Sequence, residues 1–359
     1  MPNVTITKRT ILLLLLTIPA AILSAQTIEQ PPAITFTGFI DLAATWNPNR
    51  PAGHENFFAG AGTTAKRANE FSLNLAQLQW TRAVSKEQPV GFTLALVAGE
   101  GAEVVHGSEP GGVSRYVYQA SVAYRLASGV VLEAGIYPSH IGLEGFYSKD
   151  NWNYTRSIMG EASPYYQTGV KASYAWNEHW SGRIDLLNGW QNIRDNNDGK
   201  SLGTQLAYSS DALSASLNTF LGPELAGDDR SLRRFVDVVV LARTTPKLQL
   251  GATVDVGAQA ILHADAAHWY GVGFLARYAP DARQAVAIRV EHFSDPDSGI
   301  TGAAQTVREG TVTYELRPRP NVILKLEGRY DRSDADVFAK RDALTDRQLL
   351  AVTGVVVTF

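Results

Sequence analysis

Apolar side chains return at every second position along most of this chain, in segments of roughly ten residues, the length of a membrane-crossing strand. Tyr116, Tyr118, Ala120, Val122, Tyr124 and Leu126 share one parity, with Val117, Gln119, Ser121, Ala123 and Arg125 on the other. Val130, Leu132, Ala134 and Ile136 oppose Val131, Glu133 and Gly135; Tyr166, Thr168, Val170, Ala172, Tyr174 and Trp176 oppose Gln167, Gly169, Lys171 and Ser173. Leu248, Leu250, Ala252, Val254 and Val256 oppose Gln249, Gly251, Thr253 and Asp255, and Tyr270, Val272, Phe274, Ala276 and Tyr278 oppose Gly271, Gly273 and Arg277. A period of two is the repeat of an extended strand, whose side chains alternate between faces. None of these apolar sets contains a charge. An Arg or Lys facing lipid near the bilayer midplane costs ~2–4 kcal/mol, so the pattern fits strands with one face toward lipid.

Segments of this kind fall at 34–46, 69–82, 90–99, 115–126, 130–137, 165–176, 180–189, 201–209, 212–221 and 234–243, then at 247–258, 268–278, 284–293, 306–316, 322–331 and 348–359. The second changes parity between Leu75 and Ala76, which reads as a bulge. Connections alternate in length. Short ones such as Ala127-Ser128-Gly129, Ser210-Asp211 and Thr244-Thr245-Pro246 are interleaved with longer ones at 47–68, 100–114, 138–164, 190–200, 222–233, 259–267, 294–305 and 332–347. Short periplasmic turns opposite long extracellular loops are the organisation of an outer-membrane barrel. The expected fold is all-β, an up-and-down antiparallel transmembrane β-barrel of about 16 strands. Trp46, Trp80, Trp176, Trp180, Trp190 and Trp269 lie near strand ends, where amphipathic rings form interfacial girdles; only Trp152 is mid-loop. The bland reading is a soluble β-sandwich with buried tryptophans, but that does not accommodate so many strands without a domain break.

The two ends agree. Lys8 and Arg9 precede a short apolar run, Ile11 to Ile18 and Pro19 to Leu23, and Ser24-Ala25 offers a cleavage site before Gln26. This reads as a cleaved signal peptide over residues 1–25, leaving a barrel domain at 26–359. The run is too short, and broken by Pro19, to cross a membrane as a helix. Removing Lys8 and Arg9 leaves 30 basic against 35 acidic residues, a net charge of −5. With no basic block this argues against nucleic acid as a partner. The absence of cysteine excludes a disulfide framework and thiolate metal chemistry. The last strand closes on Phe359, with Leu349, Ala351, Val355 and Val357 on the same face. Such an end can be offered to barrel-assembly machinery by strand addition.

Sixteen strands enclose more space than wall side chains can fill, so an aqueous lumen is expected. Its wall should carry Arg125, Lys171, Arg183, Arg277, Arg289, Lys325 and Arg329 on the basic side. Asp41, Glu133, Asp185, Asp237, Asp255, Glu291, Glu315 and Glu327 form the acidic side. Arg183 with Asp185, and Arg289 with Glu291, share a face two residues apart and are candidate pairs. The third long connection, 138–164, is the longest. It carries Glu144, Lys149, Asp150, Arg156 and Glu161, with His140 and the aromatic residues Phe146, Tyr147, Trp152 and Tyr154. Folded inward it would form a constriction whose opposed charges govern ion preference; otherwise it packs over the mouth.

A family resemblance rests on Gly38-Phe39-Ile40-Asp41 with Asn47-Pro48-Asn49, and on Phe71 to Leu78. It continues in Gly135-Ile136-Tyr137-Pro138 with Gly142, Glu144 and Ser148, then Asn151, Tyr154-Thr155-Arg156-Ser157 and Pro164-Tyr165-Tyr166. Asn188-Gly189-Trp190 followed by Asn196 to Lys200 completes it. These stretches resemble the putative beta-barrel porin-2 family, the OmpL-like outer-membrane porins. The sharp motifs lie in residues 36–210, and the remainder resembles the family mainly in barrel character. The resemblance implies passive diffusion of ions and small hydrophilic solutes through the outer membrane of a Gram-negative bacterium. Outer-membrane lipid surrounds such a barrel, and a homotrimer is a common assembly at this size. No cofactor is implied. Two other classes stay open: a barrel enzyme of phospholipase type and a secreted β-rich binding protein. Ser294 near His292 is too generic a pair for the first. The scattered histidines, His263 and His268 included, do not have metal-ligand spacing, and Asp195-Asn196-Asn197-Asp198-Gly199 misses the calcium-loop pattern.

Overall fold

The computed structural model describes residues 34–56 and 65–359, so the signal segment read over 1–25 lies outside the described residues. Alternation of polar and apolar side chains sets up extended segments, and neighbouring segments pair antiparallel through short turns. The strands are β1 (Thr35–Trp46), β2 (Phe71–Arg82), β3 (Val90–Ala98), β4 (Val117–Arg125), β5 (Val131–Pro138) and β6 (Tyr166–Ala175). They continue as β7 (Trp180–Leu187), β8 (Ser201–Ser209), β9 (Leu213–Pro223), β10 (Leu232–Arg243), β11 (Leu248–Ile261) and β12 (Ala264–Tyr278). The last are β13 (Gln284–Asp295), β14 (Gln305–Arg319), β15 (Val322–Ser333), β16 (Phe338–Lys340), β17 (Ala343–Thr345) and β18 (Arg347–Thr358). β1–β15 and β18 close a sixteen-stranded antiparallel barrel in sequence order, with β18 paired to β1; β16 and β17 form a separate hairpin. Two short helices, α1 (Glu100–Val105) and α2 (Ile158–Ala162), lie in long connections.

The barrel is apolar outside and polar inside. Ile40, Leu42, Val122, Val170, Ile184, Val256, Phe274, Ile288 and Val312 are exposed on the outer face, whereas the inward positions are buried and largely charged or amide-bearing. No helix among the described residues is long and apolar enough to cross a membrane. Crossing falls to the strands, whose backbone groups are paired because the sheet has no open edge.

Irregularities occur where inward side chains have special work. Asp41 pairs with Leu75 but Leu42 with Leu73, so Asn74 is an extra residue. Asn74 and Leu75 are both buried, placing this bulge one residue before the parity break read from the sequence. A second shift, between Ala95 and Leu96, leaves Tyr118 unpaired on β4. Tyr118 therefore turns inward, where its hydroxyl donates to the Tyr165 carbonyl at 3.2 Å, instead of joining the outward set. Tyr166 is also buried rather than lipid-facing: its ring stacks on His106 with centroids 4.8 Å apart and its hydroxyl donates to Glu109.

Two further expectations are corrected. The connection expected at 259–267 is a two-residue turn, because β11 and β12 run on to Ile261 and from Ala264; His263 takes the positive φ of 62° that the turn needs. Among the tryptophans, Trp46, Trp176 and Trp180 are exposed on the outer face, as girdle residues are. Trp190 and Trp269 are not: both are buried with Phe220 and Phe235, and the Arg233 guanidinium lies 5.1 and 5.6 Å from their ring centroids. The cause is parity, since Trp269 faces inward while Tyr270 beside it takes the outer face.

Candidate functional site

The inward face of β9–β15, β18 and β1 presents carboxylates, guanidinium groups and glycines to one another across the lumen, and the connection 138–164 is seated against them. Burial of so many polar groups is tolerable only if each finds a partner, and the loop supplies the partners. His140 bonds to the Gln167 side chain at 3.0 Å and the Thr219 carbonyl at 3.1 Å. The Gly142 amide donates to Asp237 at 2.8 Å. Farther along, the Ile158 and Met159 amides, at the start of α2, donate to the two oxygens of Glu291 at 2.6 and 2.7 Å. Glu327 accepts from the Tyr154 and Thr155 amides at 2.5 and 3.0 Å, the Thr155 hydroxyl at 2.5 Å and the Thr313 hydroxyl at 2.6 Å. Asp41 of β1 accepts from the Tyr154 hydroxyl at 2.7 Å, from Asn74 at 3.1 Å and from the Ser148 hydroxyl.

The cations of this wall serve the same seat. Lys325 donates to the Ser148 and Asn151 carbonyls at 2.8 and 2.5 Å. Arg329 donates to the Arg156 carbonyl at 2.5 Å while pairing with Asp331 at 2.9 Å. Arg289 is fully buried between Glu144, at 2.6 Å, and Glu309, at 3.0 Å, and also donates to the Thr155 carbonyl. The expected Arg289–Glu291 pair is therefore not made: Glu291 is occupied by loop amides, and Glu309 on the neighbouring strand is the partner. Arg183 and Asp185 do pair, at 2.7 Å.

Shape completes the fit. A Cβ on Gly354 would lie 2.3 Å from the Tyr154 ring, one on Gly271 would lie 2.4 Å from Met159, and one on Gly203 would lie 2.6 Å from the His140 ring. Each of these wall positions must lack a side chain for the loop to seat. Ile141, Ile158, Met159 and Ala162 then form one apolar cluster with Tyr137, Leu187, Phe293 and Val307. Phe146, Tyr165 and Tyr118 join a second with Phe39 and Val356, and Tyr147 packs against it.

Of the five charged loop residues singled out in the sequence, three are buried in bonds. Glu144 holds Arg289 and accepts from the Ser157 amide at 2.7 Å. Arg156 donates to the Gly145 carbonyl at 2.9 Å and to the Phe146 carbonyl, and Glu161 accepts from the Tyr165 hydroxyl at 2.8 Å. Lys149 and Asp150 keep contact with water and pair with each other at 2.8 Å, the ammonium lying 5.5 Å from the Phe39 ring centroid.

The opposite wall differs. On β2–β8 the loop also touches Tyr118, Gln167 and Gly203, and Asn74, Gln77 and Asp185 are buried, but Arg125, Glu133, Lys171, Arg183 and Gln205 are only partly covered. Gln77, Gln79 and Thr81 form a side-chain ladder with steps of 2.8 and 3.0 Å, and Lys171 pairs with Glu133 at 2.9 Å. A water-accessible hollow of about 540 Å³ runs along Arg125, Lys171, Ser173, Ser181, Arg183 and Gln205. Asp255, Glu315, Lys325, Glu327 and Arg329, by contrast, are buried. Arg277 lies between the two cases, 3.2 Å from Glu315. Glu309 and Asp331 were missed among the wall charges, although each continues the parity of a recognised one, Glu315 and Arg329. Among the described residues no group of His, Cys, Asp and Glu is arranged to hold a metal ion. On β13, His292 lies 3.4 Å from the Tyr270 hydroxyl while Ser294 bonds to Thr306, so neither serves the other.

A closed sixteen-stranded barrel with a polar interior and its third long loop seated inside is the architecture of the outer-membrane porins. The chain belongs to the putative β-barrel porin-2, OmpL-like family, whose model matches residues 33–359 and thus extends the resemblance through the C-terminal half. Among solved structures it is similar in fold to an anion-selective porin from Comamonas acidovorans, with a TM-score of 0.62 at 11% identity over 91% of this chain and 99% of that one. OmpF of Salmonella typhi in complex with daunomycin matches with a TM-score of 0.61 at 12% identity, covering 92% and 98%. The outer-membrane channel DcaP of Acinetobacter baumannii gives 0.61 at 11%, covering 91% and 97%. No curated protein matches the chain in sequence.

Proposed function

We propose that this porin-family barrel is a passive aqueous channel of a Gram-negative outer membrane, carrying ions and small hydrophilic solutes down their gradients without catalysis. One observation carries the reading: the loop 138–164 covers most of the inner wall but leaves a hollow along Arg125, Lys171, Ser173, Arg183 and Gln205 of β4–β8 in contact with water. Solutes then pass between that part of the wall and the loop. Lys149 and Asp150, with Arg125, Glu133, Lys171, Arg183 and Asp185 opposite, set the field they cross. Glu144, Arg156 and Glu161 act on permeation by holding the loop in place. Purified barrel in planar bilayers is expected to give stable conductance steps, and removal of Glu144 to Glu161 to enlarge them. A folded barrel that never conducts refutes the channel; unchanged steps after the deletion refute the loop's part in it.

Export through cleavage before Gln26 and delivery to the assembly machinery through Phe359 complete the proposal. Phe359 exchanges both backbone bonds with Gly38, at 2.9 and 3.0 Å, and its half-exposed ring lies 6.2 Å from Phe36. Removing it should lower the yield of inserted barrels far more than the conductance of those that form. One matching structure, OmpT of Vibrio cholerae, is described as a trimer form, at TM-score 0.60 and 10% identity. A homotrimer of this chain is the corresponding expectation, tested by mass measurement of the detergent-extracted protein.

A further inference from the structure

The outer face of the barrel should be uncharged where it meets lipid, yet one row of basic residues crosses four strands at the long-loop end. Antiparallel register pairs His292 with Arg308, Arg308 with Arg332, and Arg332 with Arg347. These residues alternate with the inward-facing Glu291, Glu309, Asp331 and Gln348, so all four point outward. The side chains of Arg332 and Arg347 are 68% and 67% exposed. Like charges directly opposite one another on a sheet repel. Asp346 lies 3.7 Å from Arg332 and 3.5 Å from Arg347, and Asp334 shares a hollow with Arg308 and Arg332, so two carboxylates face three guanidinium groups and leave the row in positive excess. Asp334 is held there by the Thr306 amide, which donates to it at 2.7 Å.

Immediately below the row the outer face becomes apolar. Two residues farther along the same strands stand Val290, Gly310, Tyr330 and Leu349, and four residues farther stand Ile288, Val312, Gly328 and Ala351. The arginines therefore mark the upper edge of the lipid-facing band, the level of headgroups. Beneath them is an open, mostly apolar hollow of about 690 Å³, with Asn69 and Glu70 also in its lining. Its floor is Gly328, Ala351 and Ala44, and its sides are Val312, Tyr314, Leu326, Trp46 and Phe71. At Gly310 a side chain would meet nothing within 4 Å, and at Gly328 it would meet only Val312 at 3.9 Å, so both glycines leave space open toward the membrane. Floor and arginines are four residues apart, roughly 13 Å along a strand.

We propose that this row and hollow bind a phosphorylated lipid of the outer leaflet. Arg308, Arg332 and Arg347 grip its phosphate groups, and an acyl chain lies in the hollow over Gly328 and Ala351. A guanidinium fork matches phosphate oxygens in pairs, and a bound dianion turns the repulsion along the row into attraction. The hollow distinguishes a lipid from a free anion, which has nothing to place there. The inference rests on the outer-membrane reading but not on conduction, so conductance separates the two.

The test is native mass spectrometry of the folded barrel in detergent, titrated with bis-phosphorylated lipid A, with its dephosphorylated form, and with inorganic phosphate. Wild type should retain the bis-phosphorylated lipid preferentially. The triple variant Arg308→Gln, Arg332→Gln, Arg347→Gln should lose at least about tenfold in lipid affinity, as expected for several lost charge-assisted contacts, while keeping wild-type conductance. Without lipid that variant should also unfold at a higher temperature, because the row no longer repels itself. Gly328→Leu, which fills the hollow without touching a charge, should weaken lipid binding and leave phosphate binding unchanged. Equal lipid retention by the triple variant overturns the site. Lipid binding insensitive to Gly328→Leu and displaced by phosphate alone reduces it to an anion site. An oligomer that the triple variant dissociates assigns the face to a second copy instead.

Discussion

Replacing Glu327 by leucine tests the seating of the loop most directly. Its carboxylate accepts four hydrogen bonds, three of them from Tyr154 and Thr155 of the loop. Leucine has nearly the same shape but accepts nothing, so two amides and two hydroxyls are left without that partner in a buried place. Each orphaned donor costs ~1–3 kcal/mol. Relief from burying a carboxylate offsets part of this, leaving about 3 kcal/mol, at the low end for breaking a buried charge network. At 1.36 kcal/mol per factor of ten, the ratio of seated to unseated loop falls on the order of 100-fold. The segment Asn153–Thr155 should then leave the wall part of the time, and single channels should show larger steps or more open-channel noise. Glu327→Gln keeps one carbonyl acceptor and should fall between the two. Heat-modifiable migration on a gel verifies that each barrel has folded. Identical conductance and noise in folded Glu327→Leu would falsify the idea that these bonds hold the loop.

Three other outcomes follow from the same geometry. Gly354→Leu puts a side chain into the Tyr154 ring and should reproduce the noisy phenotype; adding Tyr154→Ala should quieten it, and failure of that rescue rejects the steric account. Lys149→Glu leaves two acids at the water-exposed edge of the loop, so the reversal potential under a salt gradient should move toward cation preference; no movement places the filter elsewhere. Burial pushes Glu224, in the connection after β9, up to about 7, against the lowering effects of Arg233 and the Trp190 amide. Its neutral form is thus favoured in the folded loop. That contribution is complete below pH 4.5, where the unfolded chain also holds the proton, and is lost as pH rises to about 7. Exchange of the Trp190 amide, which donates to Glu224 at 2.9 Å, should accelerate over this window, and Glu224→Gln should flatten the response.

The barrel was legible because its information is local. A period of two survives in any ten-residue window, and turns punctuate it, so all sixteen barrel strands could be placed within a few residues. Several misplacements concern the face a residue takes. Where a bulge adds a residue, as at Tyr118, parity flips, and nothing in the local alternation separates a tyrosine facing lipid from one facing the loop. Trp190 and Trp269 misled for a similar reason, since a tryptophan near a strand end can serve either the outer interface or an inner cluster. The seat of the loop was not legible. Asp41, Glu291 and Glu327 could be assigned to the inner wall, but which loop hydroxyl or amide donates to each depends on contacts between residues more than one hundred positions apart. Glu309 and Asp331 needed no such knowledge, only a stricter extension of the parity already in use.

The position of Tyr154 has a consequence for how the barrel matures. Its ring lies against Gly354 of the last strand, its hydroxyl bonds to Asp41 of the first, and its amide bonds to Glu327 of β15. First and last strands meet only when the cylinder shuts, because β1 and β18 are the ends of the barrel sequence. The berth for this tyrosine therefore does not exist in a half-built sheet. Tyr154 can take this place only after closure, and once there it bridges the first and last strands from within. One tyrosine of the loop thus clasps the seam by which the cylinder was made.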